Sequence, residues 1–147
     1  MSDLIAEKIK RSISTILGTE EWDLENTTYK CSYTTKLAAG KYKLFRKAAP
    51  AVTVASFELA PMINCCGICV STGAYVAPEW RKKGLGTLLN NLRMDIARFD
   101  GYSLLLCTDL VDNTPQRRIL ERNGWRNIYK FVNRRTGNPL HISVINL

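Results

Sequence analysis

The sequence lacks most of the residues from which common metal and nucleotide sites are built. It has one histidine, His141, and its Cys66-x-x-Cys69 pair has no second pair to complete a zinc site. Neither the Gly-x-x-x-x-Gly-Lys-Ser/Thr pattern of a nucleotide P-loop nor the Gly-x-Gly-x-x-Gly pattern of a dinucleotide fold occurs. We therefore expect no metal site, and we expect the five cysteines to be reduced thiols in a cytoplasmic protein.

Long apolar runs are also missing. No stretch of about 18 apolar residues exists, so the sequence predicts no membrane span, and polar residues recur too often near the N-terminus for a secretory signal. With 147 residues, we expect a single domain over residues 1–147 with a substantial core. The formal net charge of +8 suits a polyanionic ligand, and nucleic acid or an acidic protein are alternative partners.

Hydrophobic periodicity predicts both helices and strands. Apolar residues at helical spacing predict a helix over residues 3–17 and another from Gly84 to Phe99, whose apolar face we expect to serve the core alone. Residues 18–40 give no clear pattern. A short helix is predicted over residues 116–122, capped by Thr114, and strands are predicted over residues 42–46, 52–59, 65–76, 103–108, 125–133 and 140–147, the last two as a hairpin.

The most informative stretch joins the strand over residues 65–76 to the long helix. A helix N-terminus carries N–H groups without intrahelical partners and the positive end of the helix dipole. Gly84 and Gly86 would keep side chains away from these groups, so that an anion can approach the backbone. The stretch therefore predicts a pyrophosphate cradle, to which Arg81, Lys82 and Lys83 add positive charge.

Two motifs resemble those of the GNAT N-acetyltransferase superfamily. Val-Ala-Pro-Glu at residues 76–79, followed by Arg81-x-x-Gly84-x-Gly86, resembles the family's acetyl-CoA loop. Asn113, a short helix and then Asn-Gly-Trp at residues 123–125 are similar to its second motif. The resemblance covers residues 65–133, and the terminal hairpin resembles that of small GNAT-like proteins carried by phages.

The resemblance implies an α+β fold. Its central sheet would be mixed and mostly antiparallel, with central parallel strands that splay apart and helices that flank the sheet. It also implies acetyl-CoA as co-substrate and transfer of the acetyl group, by direct attack, to an amine of a protein, a small molecule or a nucleobase. The cofactor-binding residues that it implies are Ala74, Val76, Arg81, Lys82, Lys83, Gly84, Leu85, Gly86, Thr87 and Asn113.

The sequence departs from the family at the two positions that usually transfer protons. No acidic residue occurs in residues 65–77, where many relatives carry a glutamate base, and Leu120 stands where the family has a tyrosine acid. General acid–base help usually contributes about 10²–10⁴-fold in rate, so substitutes are expected. Asp109 is the candidate to face the acceptor amine, and Tyr75, or alternatively Tyr129, is the candidate to protonate the leaving thiolate.

Two other readings of the chain stay open at this point. Mom-type DNA-modifying proteins resemble this fold, and the charge of +8 with Arg134 and Arg135 at the hairpin turn fits a nucleic-acid partner. The missing base and acid also fit a non-catalytic module that binds coenzyme A or a partner. An exposed C-terminal strand would allow the chain to pair into a homodimer.

Overall fold

One sheet of seven strands organises the described part of the chain. The computed structural model describes residue 7 and residues 10–15, 22–28 and 40–147. The strands are β1 Trp22–Thr28, β2 Gly40–Arg46, β3 Ala49–Pro61, β4 Ile68–Val76, β5 Leu104–Leu110, β6 Arg126–Val132 and β7 Pro139–Asn146, in the spatial order β1-β2-β3-β4-β5-β7-β6. Helix α1, Leu85–Phe99, follows a 3₁₀ turn at Pro78–Trp80, and helix α2 spans Thr114–Arg122.

The sheet is antiparallel except at its centre. β4 and β5 pair in parallel, from Ile68 opposite Leu104 to Ser71 opposite Cys107. No pairing with β5 is found for residues 72–76 within the described ranges, so the two strands splay apart beyond Ser71. This mixed, mostly antiparallel sheet with a splayed parallel pair and flanking helices confirms the expected fold class.

A bulge bends β4 near the point where the splay begins. The register with β3 shifts between Ser56 and Glu58, so that Phe57 lies opposite two residues of β4, Gly73 and Ala74. Gly73 has a φ of 61°, a left-handed conformation that costs glycine little. A bulge increases the local bend of a strand, and this one lies just beyond the point where the pairing of β4 with β5 ends.

The core joins the sheet to helix α1. Tyr42 and Phe57, directly opposite each other on β2 and β3, stack with ring centroids 4.8 Å apart and planes 9° from parallel. Ile13, from the helical residues 10–15, belongs to the same core cluster. The helix contributes the apolar stripe that the sequence predicts, with Leu85, Leu88, Leu89, Leu92 and Ile96 buried.

Two strand boundaries near the splay differ from the sequence-based expectation. β4 begins at Ile68 rather than residue 65, because residues 62–67 form a turn that a 2.9 Å bond from the Met62 N–H to the Ile68 carbonyl closes. β5 continues through Asp109 and Leu110, which the sequence predicts as loop, because both residues pair with β7. Asp109 is therefore a strand residue with a fixed direction.

Other helices and strands also differ from those predicted from the sequence. β3 starts at Ala49, so a two-residue turn at residues 47–48 connects it to β2. β1 is a strand that the sequence analysis did not predict. The helix predicted over residues 3–17 is present at residue 7 and residues 10–15, and its other positions lie outside the described residues. No helix in the described ranges is long and apolar enough to cross a bilayer.

The C-terminal hairpin is confirmed, but its last strand is not exposed at an edge. β6 and β7 pair antiparallel, as predicted. β7 also pairs along its length with β5, from Leu110 opposite Leu140 to Leu104 opposite Asn146. The expectation of a C-terminal strand free to pair with a second copy is therefore wrong, because β6 and not β7 forms this edge of the sheet.

Replacing Phe57 by alanine should lower the free energy of unfolding by about 3–5 kcal/mol, because the substitution removes a fully buried ring and leaves a cavity. Urea unfolding followed by circular dichroism measures the change. Val52→Ala on the same strand is the control. Val52 is 51% exposed, so this substitution should change the free energy of unfolding by no more than about 0.5 kcal/mol. Equal losses at the two positions would contradict the described core.

Candidate active site

A cavity of about 590 Å³ opens where α1 begins. Its walls come from the end of β4, the loop into α1, the first turns of α1 and the start of α2. Nine of the ten cofactor-binding residues expected from the sequence line it: Ala74, Val76, Arg81, Lys82, Gly84, Leu85, Gly86, Thr87 and Asn113. Tyr75, one of the two catalytic candidates, lines it as well.

The first turn of α1 turns backbone N–H groups toward this cavity. Gly84 is the N-cap residue, with a φ of 84° and no side-chain cap, and the helical ladder begins with a 3.0 Å bond from the Leu88 N–H to its carbonyl. The N–H groups of Leu85, Gly86 and Thr87 precede that bond and have no partner in an α-helical ladder. All three residues line the cavity, which makes this helix start suited to an anion.

The three cations of the loop have different positions. Arg81 lines the cavity and donates from Nε to the Val76 carbonyl at 3.1 Å, which fixes the loop to the end of β4. Lys82 lines the cavity with a φ of 61°. Lys83 is not among the lining residues, and its Nζ lies 4.2 Å from the centroid of the Trp80 ring. Two of the three expected cations therefore lie at the cavity.

Gly86 has a packing function that its place in the motif does not reveal. A Cβ atom at this position would lie 2.8 Å from Cδ1 of Ile119 on α2, closer than real Cβ contacts. A side chain at residue 86 would therefore require the end of the Ile119 side chain to move. The sequence analysis assigned Gly86 to anion access alone.

Helix α2 begins at the opposite wall. Asn113 is its N-cap, and its Oδ1 accepts a 3.3 Å hydrogen bond from the Gln116 N–H. The prediction that Thr114 caps this helix is wrong, since Thr114 is already the first helical residue. Asn113, Pro115 and Gln116 all line the cavity, so the starts of both helices face the same space.

Sequence reasoning missed two polar residues of the cavity, Asn90 and Arg93. Both are on α1, both line the cavity, and they are only 1% and 2% exposed. The expectation that the buried face of this helix serves the core alone is therefore wrong. Gly86, Asn90, Arg93 and Ala97 recur at helical spacing beside the leucine stripe, and that line of small and polar residues was the available signal.

The Arg93 guanidinium is held on several sides. Nη2 donates to Asn90 Oδ1 at 2.8 Å, and Nη1 donates to Ser71 Oγ at 3.4 Å. Its Cζ lies 4.8 Å from the centroid of the Trp125 ring. Nε is buried and has no hydrogen-bond partner in the described part of the chain. Burial lowers the pKa of Arg93, because the charged form loses solvation, while the neighbouring Cys107 and the negative charge at Asp109 act in the opposite direction.

Asp109 does not line the cavity. It is 6% exposed, its Oδ1 accepts a 3.2 Å hydrogen bond from Ser143 Oγ, and its Oδ2 lies 3.8 Å from Nδ1 of His141. Neither Oδ2 nor Nδ1 has a hydrogen-bond partner among the described residues. The structure thus places this carboxylate beside β7 and within electrostatic reach of Arg93, and its expected contact with an acceptor amine stays a prediction.

The remaining candidates for proton transfer differ in whether they reach the cavity. Tyr75 is 46% exposed at the cavity, whereas Tyr129 is exposed on β6 and is not among the lining residues. Leu120, at the position of the family tyrosine, is buried. Burial raises the pKa of the Cys107 thiol to about 11, so that this residue stays a neutral thiol near neutral pH and a poor nucleophile.

Comparison with known proteins supports the resemblance drawn from the two motifs. The sequence profile described as the acetyltransferase (GNAT) family matches residues 63–125. These residues include β4, α1, β5 and α2, and the residues that line the cavity fall within the same range. A search of curated protein sequences found no match.

Solved structures of several acetyltransferases share the fold. An IAA acetyltransferase from Bacillus cereus is 12% identical with a TM-score of 0.65, over 86% of this chain and 100% of that one. A GNAT family acetyltransferase from Elizabethkingia anophelis, solved with acetyl-CoA bound, is 13% identical with a TM-score of 0.65, over 88% and 100%. The ribosomal-protein-S18-alanine N-acetyltransferase from Escherichia coli is 13% identical with a TM-score of 0.61, over 77% and 70%. The chain therefore has the GNAT fold, and its residues 63–125 carry the sequence pattern of the GNAT acetyltransferase family.

Proposed function

We propose that this protein is an acetyl-CoA-dependent N-acetyltransferase. The observation that carries the proposal is the cavity in which the N–H groups of the first turn of α1 meet the unpaired edge of β4. The relative from Elizabethkingia anophelis, which shares the fold, was solved with acetyl-CoA bound. Acetyl-CoA is accordingly the co-substrate that we assign to this cavity.

The cavity residues fit the two chemically different parts of that molecule. The N–H groups of residues 85–87 suit the diphosphate, and Arg81 and Lys82 add positive charge beside them. Residues 72–76 of β4 have backbone groups that no strand pairs on the β5 side within the described chain. These groups suit the amides of the pantetheine arm, because an extended amide chain can bind a free strand edge by backbone hydrogen bonds.

The reaction then depends mainly on positioning and on charge stabilisation. Holding the acceptor amine in line with the thioester carbonyl supplies most of the rate of acetyl transfer, because it orients the reacting atoms in advance. A backbone N–H of β4 near Val76 polarises that carbonyl in our proposal. Asp109, whose Oδ2 has no hydrogen-bond partner in the described structure, accepts the proton of the amine, and Tyr75 supplies a proton to the leaving thiolate.

The acceptor is an amine of a protein, a small molecule or a nucleobase. Arg134 and Arg135 are exposed at the hairpin turn, and with the net charge of +8 they keep nucleic acid among the candidates. The Mom-like alternative, the non-catalytic module, a homodimer and the cytoplasmic location all stay predictions. Thiol release in the presence of small amines, peptides or oligonucleotides separates the enzymatic readings from a module that only binds coenzyme A.

Thr87→Glu should weaken coenzyme A binding while keeping the fold. Thr87 is exposed in the first turn of α1, so a carboxylate there repels a diphosphate yet favours the helix dipole by about 0.3–1 kcal/mol. We expect the dissociation constant to rise about tenfold or more, since roughly 1.4 kcal/mol of repulsion has that effect. Isothermal titration calorimetry measures the dissociation constant, and thermal melting with and without coenzyme A measures whether the fold is kept.

Thr87→Gln is the matched control, because it has nearly the same shape as glutamate and no charge. It should bind coenzyme A far better than Thr87→Glu does. Equal affinities in the two variants would show that the diphosphate does not lie at this helix start. A wild-type protein that ignores millimolar coenzyme A would refute the proposed function altogether.

Asp109→Asn should lower kcat by about 10²–10⁴-fold, because asparagine cannot accept the amine proton. Coenzyme A affinity should stay unchanged, since Asp109 does not line the cavity and an asparagine oxygen can still accept from Ser143. Thiol release with the best acceptor of the panel, measured against pH, is the readout. A kcat that stays near the wild-type value in Asp109→Asn would assign proton transfer to another group.

A further inference from the structure

A charged side chain forms part of the cavity wall although it has almost no contact with bulk water. Arg93 is 2% exposed and is among the lining residues. Burying a guanidinium costs several kcal/mol unless its charge and its N–H groups are compensated. A charged group buried in a cleft is for that reason a candidate functional residue.

The position of Arg93 along α1 matches the inner end of the cavity. It lies nine residues after Gly84 (93 − 84), and at 1.5 Å per residue this is about 13 Å along the helix axis. Its Nη1 contacts Ser71 Oγ at 3.4 Å, and Ser71 with Cys107 is the last pair before β4 and β5 separate. An arm that enters the gap from the start of α1 therefore brings its far end toward this guanidinium.

The guanidinium is held in place before any ligand arrives. Asn90 accepts from Nη2 at 2.8 Å, and the Trp125 ring lies against Cζ at 4.8 Å. Nε, however, is buried without a hydrogen-bond partner in the described chain. Because Arg93 also lines the cavity, the positive charge that these contacts hold in place is within reach of a group that enters there.

We propose, on the basis of the function proposed above, that Arg93 stabilises the thiolate of coenzyme A and compensates for the tyrosine that Leu120 replaces. In this step the acceptor nitrogen bonds to the carbonyl carbon, the carbon–sulfur bond breaks, and its electron pair stays on sulfur. Arg93 stabilises that negative charge electrostatically and transfers no proton. The amine proton passes to Asp109, and the thiolate afterwards takes a proton from Tyr75 or water.

The test measures the ionisation of the coenzyme A thiol when it is bound, so it does not need an acceptor or turnover. Thiolate absorbs in the ultraviolet where thiol does not, and a pH titration of the protein saturated with coenzyme A gives the pKa of the bound thiol. The same protein saturated with desulfo-coenzyme A is subtracted, which removes the signal of the protein's own cysteines. A cation within about 4–6 Å should lower the pKa of the bound thiol by about 1–3 units relative to free coenzyme A.

Arg93→Met should return the pKa of the bound thiol to that of free coenzyme A. Arg98→Met is the matched control, because it makes the same substitution on the same helix at a half-exposed arginine that pairs with Asp95. It should leave the bound thiol unchanged. Arg93→Lys, which keeps the charge on a different head group, should lower the pKa of the thiol less than the wild-type arginine does.

The outcomes separate this inference from the proposed function. If the wild-type protein binds coenzyme A and the bound thiol titrates like free coenzyme A, the role of Arg93 is refuted while the binding site stands. If Arg93→Met binds coenzyme A and keeps the lowered pKa of the thiol, the role is refuted as well. If coenzyme A does not bind at all, the proposed function fails. Should Arg93→Met not fold, Arg93→Lys takes its place, and a bound thiol with the same pKa in Arg93→Lys as in the wild-type protein would refute the role.

Discussion

The end of the parallel pairing between β4 and β5 is the constraint on which the site depends. Beyond the Ser71–Cys107 pair the strands part, and β4 has its bulge at Gly73 and Ala74 just past that pair. Backbone groups that lose a strand partner need another one. The same separation opens the cavity beside the starts of α1 and α2. A groove with unpaired amides on one side and helix N-termini at its mouth is the direct result.

Electrostatics divides this groove into two regions. At the mouth, exposed Arg81 and Lys82 lie beside the N-terminus of α1 and act in a high-dielectric setting. At the inner end, Arg93 lies in the low-dielectric interior, and the buried carboxylate of Asp109 lies outside the cavity but within electrostatic reach of it. The exposed cations suit the capture of an anion, whereas the buried charges suit the stabilisation of charge that develops during a reaction.

The sequence predicted those parts of the fold and site that local chemistry determines. The glycines around residue 84, the proline before them and the apolar stripe of α1 are local signals, and they located the helix start at which the cavity opens. Position in the sheet was harder to predict, because Asp109 is part of β5 only through pairing with β7, more than thirty residues later. Asn90 and Arg93 were missed for a related reason. From sequence alone, a polar residue on a helix is predicted to face solvent, because the sheet and the Trp125 ring that cover it are not yet known.

The order of strands has a consequence for how the protein is made. β7 inserts between β5 and β6, although both of those strands precede it in the chain. During synthesis, β5 and β6 are complete before residues 139–146 have left the ribosome, and a direct pairing between them at that stage would be a kinetic trap. The Asp109–His141 and Asp109–Ser143 contacts form only with that last insertion, so a nascent chain that already has its helix α1 does not yet have its buried charge network.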